Sequence, residues 1–314
     1  MKLASPILRL LCLRSLLAIG PALFGAAPAT PGATEAPLDA QPVVAESPNT
    51  DQPAPASGLP TLYLVGDSTL KSDAPARGWA SEVGVFFDPA KINVVNRAIG
   101  GRSSKTFRHE GRWQKVVDAL RPGDFVVAQF GHNDRFRFDD PAAKGRPSLH
   151  GEGEETGELV KADGVAETVH TFGWYMRRYG AETREKGATP IFCSMVPHKH
   201  WTADGKIKLP YRDLHVTWTR NAAAVSGAYF IDLNLIAAAA LEKTGPGPEA
   251  DRLFADKGTH TSPEGARLNA RCFVAGLKAL PDNPLEPYLN AEGRAVAAAD
   301  RSLAIPPSPS PPAD

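Results

Sequence analysis

Cysteine is scarce in this sequence, with three in 314 residues. That is too few for a disulfide-stapled scaffold, and they are too scattered for a cysteine-based metal site. Charge of one sign is also missing: 35 basic residues balance 35 acidic ones, so the formal net charge is zero. Nothing in that balance favours nucleic acid as a partner. No internal repeat is visible, and a repeat architecture is set aside.

What is present divides the chain into four parts. Residues 1–27 have a basic start, an apolar stretch from Leu10 to Ile19, and then small residues at Gly25-Ala26-Ala27-Pro28-Ala29. This is the build of a secretory signal with cleavage near Ala27 or Ala29, and it implies a secreted or periplasmic protein. Arg14 interrupts the run and Pro21 shortens it, which argues against a membrane-spanning helix, so no stable membrane insertion is expected. Leu11 before Cys12 is too large for the usual lipid-attachment site. Residues 28–58 are rich in Pro and Ala without apolar periodicity and read as a disordered linker. Residues 291–314 end in Pro306-Pro307-Ser308-Pro309-Ser310-Pro311-Pro312 and read as a disordered tail. Residues 59–290 remain as one domain with room for a large core.

Within that domain, strand-like and helix-like runs alternate. The strand-like runs are 61–66, 92–99, 124–130, 189–196 and 228–233. The helix-like runs are 78–87, 108–120, 165–186, 214–226 and 262–279. In 165–186, Val165, Val169, Phe172, Tyr175, Met176 and Tyr179 recur at three- and four-residue steps, as one apolar helix face would. Ser262-Pro263-Glu264 has the capping chemistry of a helix start. Such alternation predicts a parallel α/β sheet covered on both faces, with right-handed crossovers. Cys193 falls in a strand-like run and Cys272 in a helix-like one; a bridge between them and two buried thiols are both open.

In such sheets ligands bind at the carboxyl ends of the strands. Four motifs fall there or nearby: Gly66-Asp67-Ser68-Thr69, Gly100-Gly101-Arg102-Ser103-Ser104, Gly131-His132-Asn133-Asp134, and Asp256-Lys257-Gly258-Thr259-His260-Thr261. Ser68 supplies a hydroxyl nucleophile if a base removes its proton. His260 can be that base, and Asp256 is the nearest carboxylate to orient its ring. The amides of Ser68 and Gly101 and the side chain of Asn133 can donate to an oxyanion. Singly, each motif is also ordinary turn chemistry. Together, in this order, they are far more specific.

The four blocks resemble those of the SGNH/GDSL hydrolase superfamily. Finer details resemble its rhamnogalacturonan acetylesterases: Thr69 after the serine, Asn96-Arg97-Ala98-Ile99 before the glycine pair, Glu167-Thr168, and Thr259-His260-Thr261-Ser262-Pro263-Glu264-Gly265-Ala266. The resemblance covers about residues 60–281. It implies a three-layer α/β/α sandwich with a flavodoxin-like parallel sheet. It also implies Ser68 as nucleophile, Gly101 and Asn133 in the oxyanion hole, His260 as base, and no metal or organic cofactor. The implied partner is an acetylated polysaccharide, and a monomer is expected. One position departs from the family, whose acid stands three residues before the histidine. Lys257 occupies that place, and Asp256 lies four before. Either a bulge at Gly258 returns Asp256 to the ring, or Ser68 and His260 act as a dyad with a carbonyl orienting the imidazole.

An acetylated galacturonate substrate is anionic, so basic residues near the site matter. Arg102 beside the oxyanion glycine is the first candidate for its carboxylate, ahead of Arg135 and Arg137. Trp201 is a candidate for stacking on a sugar, or for rim packing. Residues 144–163 form a polar insertion near the same edge. His198, His200 and His215 lack the spacing of a zinc site. Gly101-Arg102-Ser103-Ser104-Lys105-Thr106 fails as a phosphate loop because Ser104 stands where glycine is required. The function the resemblance implies is a secreted serine esterase that removes O-acetyl groups from pectic polysaccharide, rhamnogalacturonan first, through an acyl-enzyme on Ser68. Xylan or another acetylated glycan is the rival substrate, and a non-catalytic carbohydrate-binding protein the rival class.

Overall fold

The run Thr61-Leu62-Tyr63-Leu64-Val65-Gly66 forms a strand in which every residue is buried, and the rest of the domain is built outward from it. The structure is a computed structural model that describes residues 55–161 and 164–306. The expected signal segment, most of the linker and the last residues of the tail lie outside the described residues. No helix among the described residues is long and apolar enough to cross a membrane.

In chain order the elements are β1 (Thr61–Gly66), β2 (Asn93–Asn96), α1 (Ser104–His109), α2 (Arg112–Ala119), β3 (Phe125–Gln129), β4 (Thr156–Val160), β5 (Ala166–His170) and α3 (Phe172–Glu185). They continue with β6 (Thr189–Cys193), α4 (Thr217–Ser226), β7 (Tyr229–Ile231), α5 (Leu233–Glu242), α6 (Pro248–Arg252), α7 (Pro263–Ala279), α8 (Ala291–Ala295) and β8 (Ala304–Ile305). The main sheet has the order β2-β1-β3-β6-β7-β8. Its first five strands are parallel, and β8 joins β7 antiparallel. The order in which the chain adds strands reverses between β1 and β3, with β2 on one side of β1 and β3 on the other, and at such a place open α/β sheets leave a crevice for a ligand.

Alternation along the strands divides the core in two. Leu62 and Leu64 of β1, Phe125 and Val127 of β3, and Ile191 and Cys193 of β6 face one layer, with α5 and α7. Tyr63, Val65, Val126, Ala128 and Phe192 face the other, with α1 to α4. The result is a three-layer α/β/α sandwich. Burying a side chain such as Phe273 of α7, which is fully inaccessible, contributes about 1.5–3 kcal/mol. Cys193 and Cys272 are buried free thiols, so no bridge joins them.

The structure corrects several expected elements. The run 165–186 is not one helix. Its first part is β5, paired antiparallel with β4, with Glu158 opposite Thr168. The helix starts only at Phe172, where the Thr171 hydroxyl accepts from the Trp174 amide at 3.1 Å. Val169 is buried as expected, but from a strand, and Val165 is exposed. Residues 78–87 form two short 3-10 turns that bury Trp79, Val83 and Phe86. The 108–120 run splits into α1 and α2. Helix α5 follows its Asp232 cap and was not anticipated, because Leu233-Asn234-Leu235-Ile236 and four alanines show little amphipathic contrast. The domain also runs past residue 290. Leu289, Val296 and Ala304 are core residues, and the carbonyl of Leu303 accepts from the Asp232 amide at 2.7 Å. The proline-rich ending made this stretch resemble a tail, but apolar groups spaced along 285–304 anchor it.

The β4–β5 hairpin is held to α1 by a buried ion cluster. Lys105 Nζ lies 3.2 Å from Glu167 Oε2, with side chains 1 % and 9 % exposed, and His109 Nδ1 bonds the other oxygen of Glu167. Burial pushes the Glu167 carboxyl up, but His109 and Lys105 outweigh it and hold the group down at about 2. The pair's stabilisation is therefore full above the ordinary range of an unfolded glutamate and is lost as pH falls through about 2. Glu167→Gln leaves the Lys105 ammonium buried without its counter-charge. The expected cost at pH 7 is about 3–5 kcal/mol by denaturant unfolding, shrinking between about pH 4 and pH 2. A cost that stays constant across that range would show that the ion pair is not its source.

Candidate active site

Ser68 follows β1 on a tight turn, in which Leu70 and Lys71 donate their amides to the carbonyl of Asp67 at 3.1 and 3.2 Å. The turn is fixed from beneath. Asp67 Oδ1 accepts from the amide and the hydroxyl of Thr69 at 2.8 and 2.7 Å. Gln129, at the end of β3, donates to the Thr69 hydroxyl at 2.7 Å, and its own oxygen accepts from the Trp79 indole at 3.0 Å. Burial pushes the Asp67 carboxyl up to about 6 against the pull of Thr69.

His260 reaches this turn from the other end of the domain, its Nε2 2.9 Å from Ser68 Oγ. Its Nδ1 lies 2.6 Å from Asp256 Oδ2. The second oxygen of Asp256 accepts from the amides of Gly258, Thr259 and His260 at 2.8, 2.7 and 3.0 Å. The extra residue is accommodated at Gly258, whose φ of +143° suits glycine and few other residues. Of the two arrangements left open by the sequence, the loop adopts the bulge, and Asp256 meets the ring. Desolvation raises the Asp256 carboxyl, but those amides and His260 prevail and lower it to about 2. Asp256 and His260 are 40 % and 36 % exposed, so their attraction is softened by solvent. The pair's main contribution is orientation of the ring.

The residues expected to donate to an oxyanion lie on neighbouring loops at this edge. A Cβ on Gly100 would lie 3.7 Å from Ser68 Cβ, which places the glycine pair against the nucleophile. Gly101 takes φ +78°, a left-handed conformation that turns the loop there. The backbone amides of Ser68 and Gly101 make no hydrogen bond among the described residues. Asn133 is buried after β3, and its side-chain nitrogen donates to the carbonyl of Arg102 at 3.0 Å. Next to it, Asp134 is wholly buried and ties α1 to this loop, accepting from the Ser104 hydroxyl at 2.6 Å and the Ser148 hydroxyl at 2.8 Å.

The other sequence candidates are distributed differently. Arg102 is already engaged, with Nε 2.9 Å from Glu110 and Nη1 2.9 Å from the carbonyl of Gly100. Arg135 donates to the His132 carbonyl and the Tyr211 hydroxyl, and Arg137 pairs with Asp139. Trp201 packs on a small cluster with Ile207 and Leu253 and keeps partial exposure. The loop before it runs beside the histidine loop, since Lys199 donates its amide to Gly258 and His198 Nδ1 lies 3.1 Å from the Thr259 hydroxyl. His132 and His198 meet edge to face at 4.9 Å, and burial drives both down to about 3, so both are neutral at ordinary pH. No group of three or more metal-ligating side chains is found among the described residues. A cavity of about 880 Å³ lies between α1, residues 139–145 and the β4–β5 hairpin, but none of Ser68, His260 or Asp256 lines it.

Two features were missed by reasoning from sequence. The support of the nucleophile turn by Gln129 and Trp79 joins residues far apart in the chain, and no local pattern marks it. Arg146 reaches Asn133 from a loop read only as a polar insertion, its Nη1 3.4 Å from Asn133 Oδ1.

Asp256→Asn tests the orientation of the ring. An amide group can satisfy the three backbone donors or accept from the ring with its one oxygen, and its NH2 facing Nδ1 would favour the wrong tautomer. The expected result is a fall in kcat of about 10²–10⁴-fold with little change in KM. Because the carboxyl stays ionised well above pH 2, the acid limb of the wild-type rate profile should not be that of Asp256. Wild-type kcat in the variant would reduce the triad to a dyad.

Comparisons with known proteins identify the chain's relatives. A family model described as the GDSL-like Lipase/Acylhydrolase family matches residues 64–268. A rhamnogalacturonan acetylesterase of Emericella nidulans is 34 % identical over 220 residues, 70 % of this chain and 85 % of that protein. The probable rhamnogalacturonan acetylesterase YesY of Bacillus subtilis is 31 % identical over 226 residues, 70 % of this chain and 93 % of that protein. Among solved structures, the YxiM protein of Bacillus subtilis superposes with a TM-score of 0.56 at 25 % identity, over 70 % of this chain and 56 % of that one. The chain belongs to the GDSL-like lipase/acylhydrolase family, the SGNH hydrolases, in its rhamnogalacturonan acetylesterase-like group, and is a carboxylic ester hydrolase.

Proposed function

We propose that this protein is an exported serine acetylesterase that removes O-acetyl groups from pectic polysaccharide, rhamnogalacturonan first, through an acyl-enzyme on Ser68. The observation that carries the chemistry is the relay from Ser68 Oγ to His260 Nε2 at 2.9 Å and from His260 Nδ1 to Asp256 at 2.6 Å, beside two unpartnered amides. Ser68 Oγ attacks the acetyl carbonyl carbon while its proton passes to His260 Nε2. The carbonyl oxygen becomes an oxyanion facing the amides of Ser68 and Gly101 and the side chain of Asn133, each such donor worth about 3–4 kcal/mol of barrier. Collapse breaks the bond to the sugar oxygen, which takes the proton from His260. Water then attacks the acetyl-serine with His260 again as base, and acetate leaves as Ser68 regains its proton. Asp256 keeps its charge throughout and stabilises the imidazolium.

The choice of substrate rests on the two relatives named for rhamnogalacturonan and on the Arg146 guanidinium beside Asn133. Export rests on the basic, apolar and small-residue order of the first 29 residues.

Acetate release from acetylated rhamnogalacturonan, homogalacturonan and xylan tests the substrate. The expected order places the rhamnogalacturonan first; fastest release from xylan would transfer the assignment to a neutral glycan. Ser68→Ala should reduce kcat on 4-nitrophenyl acetate by about 10⁴-fold or more, and turnover equal to wild type would remove Ser68 from the mechanism. N-terminal sequencing of the exported protein should begin just after Ala27 or Ala29, and an intact Met1 would count against export.

A further inference from the structure

A cation stands at the oxyanion site with no charge to meet it. Arg146 Nη1 lies 3.4 Å from Asn133 Oδ1 and 3.9 Å from where a Cβ of Gly101 would be. It therefore touches both loops expected to hold the oxyanion. The loop carrying it is anchored to the same place, since the Arg146 carbonyl accepts from the Ser103 hydroxyl at 2.5 Å, and Ser103 caps α1. Nε is spent on the Ala143 carbonyl at 3.1 Å. Nη2 has no partner, and Arg146 pairs with no carboxylate among the described residues. Arg102 is paired with Glu110 and Arg137 with Asp139, while Arg135 has its donors on the His132 carbonyl and the Tyr211 hydroxyl.

A half-buried guanidinium left without a counter-ion beside a reaction centre is suited to a carboxylate brought by the substrate. A neutral acetylated sugar would leave that charge uncompensated, so the same group discriminates against it. We propose that Arg146 is a specificity residue that binds the carboxylate of a uronic acid lying within one sugar ring of the scissile acetyl ester. Its Nη1 contact fixes the oxygen of Asn133, whose nitrogen donates one hydrogen to the Arg102 carbonyl and keeps the other for the oxyanion, while Nη2 is left for the acid. Carboxylate binding and oxyanion stabilisation are thereby joined through one side chain. This assignment rests on the esterase reading above, and it moves the anion contact expected of Arg102 to a residue 44 positions further along the chain.

The test compares acetylated oligogalacturonides as free acids with the same oligosaccharides fully methyl-esterified. The wild-type enzyme should prefer the acid form in kcat/KM by about ten- to a hundredfold at low salt, a preference that falls as salt is added. Arg146→Gln should abolish most of that preference, chiefly through KM for the acid, and Arg146→Lys should restore part of it. Because the readout is a ratio within one protein, partial loss of folded enzyme cancels. Equal losses on both forms in Arg146→Gln would assign Arg146 to positioning Asn133 alone and overturn the proposal. So would a wild-type enzyme with no preference for the acid, or one that turns over neither form. The polymer panel is separate: failure on rhamnogalacturonan with an intact acid preference on the oligosaccharides would sink the polysaccharide reading and leave Arg146 standing.

Discussion

Three backbone amides gathered on one oxygen of Asp256 hold the histidine loop in shape, and the active arrangement depends on them. Without that grip the imidazole would be one side chain on an irregular loop, with no reason to face a hydroxyl 192 residues away. The same carboxylate uses its second oxygen on the ring. Loop shape and ring orientation are thus set by one group, which burial alone would raise but which its donors keep ionised. The longer spacing between acid and base is absorbed at Gly258, where a side chain would meet Lys199.

Two further carboxylates support the other half of the site. Asp67 and Asp134 are fully buried, and burial opposes their charge. Each is compensated by short-range donors and not by a cation: Thr69 serves Asp67, and Ser104 with Ser148 serves Asp134. Buried charge of this kind is costly, and it persists where geometry matters more than stability. Asp67 stiffens the nucleophile turn, and Asp134 fixes the start of α1 against the loop that carries Asn133. Arg146 is held to the same assembly through Ser103, so a cation with no carboxylate partner among the described residues is placed by the elements that place the candidate oxyanion donors.

Much of the domain could be read locally. The apolar runs at 61–66, 124–130 and 189–196 are β1, β3 and β6, because continuous β-branched and aromatic runs between turn residues fit strands buried on both faces. Helix α7 was legible from Ser262 and Pro263, whose capping chemistry is short-range. The errors share a different cause. Val165 and Val169 fit a helical step, yet the segment pairs with β4, since pairing partners are not written into either strand alone. Helix α5 carries little polar contrast because it is covered on several sides. The segment 291–305 was masked by the prolines after it, though Val296 and Ala304 fill the core.

The sequence by itself determined the alternating architecture and the four chemical blocks that carry the candidate hydroxyl, imidazole and amide donors. These follow from short-range rules of periodicity, turn chemistry and capping. Only the tertiary structure decided whether Asp256 reaches His260, which arginine stands beside Asn133, and what braces the turn that carries Ser68. Each of those depends on distances between residues far apart in the chain, and such distances are set by packing across the sheet and not by neighbouring side chains.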